Sequence, residues 1–310
     1  MASPRVALTG GTGFIGQHLL RSLTRRGYQV RVLLRRPTVV PADCTSAVIG
    51  DIARPQNMAS ALADVDAVIH SAGLSVAASG HPEDDYRVLN VEATIGLARA
   101  AQRTGVRRFV FISSIRAQAG SSDPRVLTEA MEPQPTEPFG RSKLAAEQGL
   151  KDVGIDWVAL RLATVYGPGV TGNMARLVDL ARSPWPLPFG GLAARRSLLS
   201  LDNLAAAIHC VLSAQGPLRR ALLAADPQAL NAGEMIAALR RGLGRRPGLI
   251  PVPEKLLESM LRAAGRSEAY ERLARPLVAD PSALLALGWT PPVTTEAGLA
   301  QLMHEESTSP

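Results

Sequence analysis

The tightest constraint on this chain is a glycine-dense turn, Thr9-Gly10-Gly11-Thr12-Gly13-Phe14-Ile15-Gly16, placed between an apolar run and an amphipathic one. A short apolar run that ends in glycine and restarts with helical periodicity describes a strand, a tight turn and a helix. Glycine serves three needs there: a positive backbone angle at the bend, approach of a ligand's phosphates to the backbone, and close packing of helix on strand. The first turn of the helix then aims free N–H groups outward, which suits the pyrophosphate of a dinucleotide. Gly10, Thr12, Gly13, Phe14, Ile15 and Gly16 are assigned to it.

The first half of the chain repeats that unit. Val6–Thr9, Val30–Leu34, Ala47–Ile49, Ala67–Ser71, Phe109–Ser113 and Trp157–Arg161 are near-continuous in apolar residues, as strands covered on both faces are. Between them, Phe14–Arg26, Asn57–Ala63, Asp85–Thr104 and Arg141–Val153 carry helical patterns. The alternation predicts an α/β fold, a doubly wound parallel Rossmann sheet with right-handed crossovers. After Tyr166, Gly167, Pro168, Gly169, Gly172, Pro184, Pro186, Pro188, Gly190 and Gly191 crowd a stretch expected to hold little regular structure, the start of a smaller C-terminal substrate lobe. The expected division puts residues 1–166, with about 200–215, in the dinucleotide-binding domain and 167–199 with 216–305 in the lobe. Further helices are predicted at Leu204–Ala214, at Ala232–Leu243 with Asn231 and Glu234 as a capping box, and at Glu254–Ala264. Leu256, Leu257, Met260 and Leu261 share one face of the last, which is expected to pack on the core, and the polar tail Glu305–Pro310 is expected to fray.

Composition excludes several classes. Of 310 residues, 46% are hydrophobic and 20% charged, which is globular and far from disordered. The net charge of +7 comes from arginines spread over helical stretches (Arg21, Arg25, Arg26, Arg240, Arg241), so no nucleic-acid stripe forms and a phosphate-bearing small molecule is the better partner. Cys44 and Cys210 stand alone, which argues against disulfides and against a metal site. No stretch of about 18 apolar residues exists and Met1 leads almost directly into a strand, so a cytoplasmic protein with no membrane partner is expected.

The second strand ends in Leu33-Leu34-Arg35-Arg36. An NAD-selective site places a carboxylate for the ribose hydroxyl where Leu34 stands, whereas Arg35 and Arg36 suit a 2′-phosphate, so NADP(H) is favoured and NAD(H) stays open. Asp51 and Ile52, after the third strand, fall beside the adenine, where Asp51 accepts from the amino group or merely closes a turn. Ser71, Ala72 and Gly73 are small where the cofactor must lie against backbone, and His70 before them reads as a packed strand-end residue.

Together TGGTGFIG, Asn90 in LNVEAT, Ser113-Ser114, Lys143 in GRSKLAAE and RLATVYGPG from Arg161 resemble, in this order, an extended short-chain dehydrogenase/reductase of the NAD-dependent epimerase/dehydratase family, from Val6 to about Trp289. The resemblance implies a site of Ser or Thr, Tyr, and a Lys four residues after the Tyr. The Tyr exchanges a proton with the substrate oxygen while hydride moves to or from nicotinamide. The Lys lowers the phenol's pKa and binds the nicotinamide ribose. Ser114 matches the hydroxyl and Lys143 the lysine, with Asn90 on the cofactor side. The Tyr position is Phe139, which has no proton to give. Three explanations stand: a substituted residue, another acid in its place, or a dinucleotide bound without turnover. Tyr86 and Tyr166 are the other phenols in plausible segments; Tyr166 is set either at the substrate or in the packing of the domain hinge.

Asn173 and Arg196 match positions that hold the diphosphate in nucleotide-sugar members of the family, and Pro186–Gly190 resembles the loop bordering the nucleobase. The resemblance implies chemistry at C4 of a UDP-sugar, in surface-polysaccharide synthesis, by a 4-epimerase or 4-ketoreductase. It also implies a homodimer paired through Asp85–Thr104 and Arg141–Val153. A sensor or scaffold that lost the chemistry, and a reductase of a non-sugar carbonyl, are the competing readings.

Overall fold

Strands form where the apolar runs predict them. In the computed structural model, which describes residues 3–75, 80–263, 265, 270 and 273–308, β1 (Arg5–Thr9) is followed by α1 (Phe14–Arg25), β2 (Gln29–Leu34), β3 (Cys44–Val48) and β4 (Ala67–His70). Glu83–Tyr86 then leads through a π-helical turn, Arg87–Glu92, into α2 (Ala93–Arg103). β5 (Arg108–Ser114), α3 (Pro138–Lys151), β6 (Asp156–Leu162), α4 (Gly172–Arg182), α5 (Leu201–Ser213), β7 (Arg220–Ala224), α6 (Ala232–Gly242), α7 (Glu254–Ala263) and α8 (Thr295–Thr308) complete the main elements.

The seven strands make one parallel sheet in the order β7-β6-β5-β4-β1-β2-β3. The order reverses between β1 and β4, and ligands of such sheets sit beyond the carboxyl ends of the strands at that switch. Register there pairs Thr9 with His70. One face of the sheet is covered by α1 and α5 through Leu19, Leu23, Leu204 and Ile208, the other by α2 and α3 through Leu97, Ala101, Ala146 and Leu150. Each such Leu or Ile taken from water contributes roughly 1.5–3 kcal/mol, which is why the strands show no polar alternation.

A separate core holds the lobe. Met174, Leu177 and Val178 of α4 pack with Met235, Ile236 and Leu239 of α6 and with Leu299, Leu302 and Met303 of α8. Three expectations need correction. The glycine- and proline-rich stretch after Tyr166 contains α4, because residues 173–183 hold no glycine or proline and Met174, Leu177, Val178 and Ala181 recur there at helical spacing. Arg220–Ala224, assigned to the lobe, is the edge strand of the main sheet, paired with β6 from Arg220↔Val158 to Ala224↔Leu162. Helix α7 packs on the lobe core through Leu257 and Leu261 and not through its whole apolar face, leaving Leu256 and Met260 more than half exposed. Among the described residues no helix is long and apolar enough to cross a membrane.

Candidate active site

The turn after β1 is a backbone cradle. Gly10 has φ +70°, and a Cβ on Gly16 would overlap the Gly10 carbonyl oxygen. Helix α1 opens on Gly13 with no side-chain cap and no acidic residue in its first turn, so its leading N–H groups face outward without a protein acceptor from a cap. Phe14 and Ile15 anchor that turn by packing on the core. These features fit the pyrophosphate of a dinucleotide, which such a cradle would hold through Gly10, Thr12, Gly13 and the α1 N–H groups.

At the end of β2, Leu34 is buried and Arg35 and Arg36 are exposed. Arg35 lies 3.9 Å from Asp51, whose other carboxylate oxygen accepts from Ala53 N–H at 3.0 Å; Ile52 packs on the core beside it. Asp51 therefore closes its own turn.

Thr9 ties the cradle to the rest of the site. Its hydroxyl accepts from Ser71 and Ala72 N–H, both at 3.1 Å, so its proton goes to His70 Nδ1 at 2.8 Å. The His70 Nε2–H then donates to Thr94 at 3.0 Å, and the Thr94 hydroxyl to the Asn90 carbonyl at 2.7 Å. His70 is fully buried and stays neutral, its pKa pushed down to about 3 by burial and by Lys143. The strand-end reading of His70 is the one the structure supports; the polar relay it completes was not visible in the sequence.

Asn90 sits in the π-helical turn, a feature often found at functional sites. Its amide accepts from Leu74 N–H at 2.8 Å and donates to the Leu74 carbonyl and to Ser142. Asn90, assigned to the cofactor, is thus a brace for the Ser71–Leu74 loop: its side chain is 1% exposed and occupied by protein partners. Gly73, with φ +151°, fits only without a Cβ, which would stand 2.6 Å from Asn90 Oδ1 and 3.8 Å from Lys143 Nζ.

Phe139 and Lys143 lie together on α3, and Ser114 ends the strand that this helix packs on. Helix α3 begins at Pro138, three residues earlier than predicted, so Phe139 and Lys143 share its inner face one turn apart. Lys143 Nζ donates to the Ile112 carbonyl at 3.0 Å and lies 4.6 Å from the centroid of Phe111 and 5.9 Å from that of Phe139. Burial pulls its pKa down to about 8 against the opposing pull of Glu147. Ser114 ends β5, and its Oγ accepts from Arg116 N–H at 3.2 Å. Tyr86 packs edge-on against Phe139, ring centroids 6.4 Å apart.

Beneath this floor is a buried ion pair that sequence reasoning missed. Arg161 of β6 grips Glu147 of α3, with contacts at 2.5 and 3.1 Å; Glu147 also accepts from Ser113 at 2.5 Å, and Arg161 reaches Gln118. The signal was the Glu four residues after Lys143 in GRSKLAAE, which a helix stacks directly behind the lysine.

Tyr166, set among the substrate contacts, belongs to the hinge. It is 1% exposed and donates to Asp226 at 3.0 Å, and burial followed by that carboxylate hold its phenol well above the usual range. Asp226 also accepts from Ser200 N–H and Asn203. Asn173 is exposed in the first turn of α4. Arg196 is half-buried, donating to the Arg275 and Ser121 carbonyls, and its pKa falls to about 10 through burial and the charge of Arg116. Among the described residues no cluster of His, Cys, Asp or Glu has the makings of a metal site. A cavity of about 280 Å³ lies behind the hinge, lined by His18, Arg21, Tyr166 and Asp202, away from the Ser114–Lys143 floor.

A doubly wound sheet with a phosphate cradle at its switch point and a Ser/Lys floor beside it defines a dinucleotide-dependent hydride-transfer scaffold. The NAD dependent epimerase/dehydratase family matches residues 6–224, and the chain belongs to that family, the enzymes of the extended short-chain dehydrogenase/reductase type; its cofactor is a nicotinamide dinucleotide. It is 32% identical to a UDP-glucose 4-epimerase of Vibrio cholerae over 96% of this chain and 93% of that one. It is 28% identical to a ceramide reductase of Caulobacter vibrioides, covering 92% and 86%. Its fold superposes on MoeE5, solved with UDP-glucuronic acid and NAD, with TM-score 0.76 at 26% identity over 98% and 99% of the two chains.

Proposed function

We propose that this chain acts at C4 of a nucleotide sugar, a UDP-hexose, oxidising or reducing that carbon with a nicotinamide dinucleotide held by the Gly10–Gly16 cradle. The observation that carries the reading is the placing of Lys143 between the Phe139 ring and the Gly73 loop, the loop that Thr9 ties to that cradle. The full-length similarity to a UDP-glucose 4-epimerase supports it. The dinucleotide supplies reversible hydride exchange; the chain supplies placement. Ser114 orients the sugar oxygen and Lys143 contributes positive charge at the reacting end.

Arg196 takes the diphosphate, with Asn173, exposed in the first turn of α4, as its second contact. Burial, and after it the charge of Arg116, makes the Arg196 guanidinium harder to keep protonated, and an anion seated there offsets both. The cofactor reading favours NADP(H): Leu34 offers no acceptor to a ribose hydroxyl, and Arg35 and Arg36 are exposed. The partner expected in solution is a second copy, paired through α2 and α3, which sedimentation at twice the chain's mass would verify.

The test is proton NMR of UDP-glucose, UDP-galactose and their N-acetyl forms incubated with the protein and each dinucleotide. Interconversion or 4-keto formation is expected, with Arg196→Ala lowering kcat/KM about 10- to 100-fold, the value of a charged hydrogen bond. Arg35→Ala with Arg36→Ala is expected to weaken NADP binding and spare NAD. A second reading, a reductase of a non-sugar carbonyl, draws on the ceramide reductase relative; consumption of reduced dinucleotide with a long-chain ketone, and none with any UDP-sugar, would replace the first.

A further inference from the structure

The site retains the family's hydroxyl and lysine without the phenol, and the neighbouring groups can be sorted by whether they have a proton to move. Tyr86 is buried behind the Phe139 ring. Tyr166 is tied to Asp226 at the hinge. Both nitrogens of His70 are engaged, one by Thr9 and one by Thr94. Ser114 is a weak acid. Lys143 alone combines position and capacity: its Nζ faces the Phe139 ring and the Gly73 loop, and one N–H, to the Ile112 carbonyl, is its hydrogen bond to protein among the described residues.

Composition points the same way. The chain has 31 arginines and three lysines, Lys143, Lys151 and Lys255. A role that needs only positive charge is within reach of Arg, which this chain uses almost everywhere. A group that must release and regain a proton near neutral pH cannot be Arg, whose pKa lies above 12.

We propose that Lys143 is itself the acid–base group of this site, exchanging its proton with the substrate oxygen, an inference that rests on the nucleotide-sugar reading. In the oxidative direction the sugar O–H proton passes to the neutral amine, directly or through one water. The carbinol carbon gives up its hydrogen with the electron pair to the oxidised dinucleotide, the oxidant of the step. A carbonyl and an ammonium result. In the reverse direction hydride returns to the carbon and the ammonium returns its proton to the oxygen.

The surroundings set the lysine for this work. His70 of β4 faces it as a neutral ring, Phe111 of β5 and Phe139 of α3 exclude water, and Glu147 behind it is countered by Arg161 of β6. Burial then brings the ammonium to about 8, near the operating pH that a general acid or base requires.

Four chains test this: the natural one, Lys143→Arg, Phe139→Tyr, and the double variant, each assayed against pH. In the natural chain the oxidative rate is expected to rise through about pH 8, and Lys143→Arg to cost at least about a hundredfold. With Phe139→Tyr the phenol takes over, the pH limb moves, and Lys143→Arg costs about tenfold. Equal cost in both backgrounds overturns the proposal. Independently of activity, the three lysine Cε resonances of the [13C]lysine protein, assigned by Lys→Arg variants, report each pKa. Lys143 is expected well below Lys151; a Lys143 that titrates with Lys151 removes the acid–base role alone. No turnover of any UDP-hexose by either the natural or the Phe139→Tyr chain overturns the substrate reading and this role with it.

Discussion

Lys143 is a buried amine whose cost to folding is measurable. The unfolded chain holds that proton up to about pH 10.5 and the folded chain to about 8, so between those values the unfolded state binds more protons and this group's contribution to stability rises with pH. Below pH 8 both states are protonated and the burial of the charge is a standing penalty of up to roughly 3 kcal/mol. Lys143→Met is therefore expected to be the more stable chain at pH 7 in urea unfolding, with the gap closing as the pH climbs from 8 towards 10.5. A gap that does not change with pH would show that the lysine is not perturbed. At this scale the sequence was legible where backbone geometry demands a residue type in a fixed order: Gly10 and Gly16 build the tight turn, Ser114 ends its strand, and Lys143 is buried one helical turn after Phe139. It was not legible where a side chain's partners decide its role. Nothing in LNVEAT separates an Asn that touches a cofactor from one that braces Leu74 and Ser142, and nothing in VYGPG separates a substrate tyrosine from one bonded to Asp226, 60 residues away.

Helix α3 and strand β6 are locked by Glu147 and Arg161, side chains 3% and 6% exposed. Removing one member of such a pair strands the other charge in the interior. Glu147→Leu is expected to cost about 3–5 kcal/mol, and Glu147→Leu with Arg161→Met distinctly less, measured as the shift in urea midpoint; equal losses for single and double variants would contradict the coupling. Because Glu147 stands one turn behind Lys143, the single variant should also displace the lysine. Strands buried on both faces announced themselves as apolar runs, whereas β7 begins Arg220-Ala221 and buries three residues, Leu222, Leu223 and Ala224, too short a run to separate from the lobe around it. Helix α4 was hidden by flanking glycine and proline, and the π-helical turn by having the same composition as the helix it interrupts. Each of these depends on tertiary pairing more than on local preference.

The molecule as a whole places three things at one reversal of strand order: the cradle after β1, the small-residue loop after β4, and the floor built from β5 and α3. Tyr166 packs in the lobe core of α4, α6 and α8 and donates to Asp226, just past the end of β7, which ties that core to the sheet. Such an arrangement has reason to keep Ser114 and Lys143 only if a substrate reaches them, which sets an enzyme apart from a dinucleotide sensor. The most direct measurement follows C4 configuration and nicotinamide absorbance together for UDP-hexoses, in the natural chain and in Phe139→Tyr. Turnover in the natural chain, raised by about 10²- to 10⁴-fold when the phenol is restored, is the predicted result. Dinucleotide bound by both chains with no change at C4 in either would contradict it.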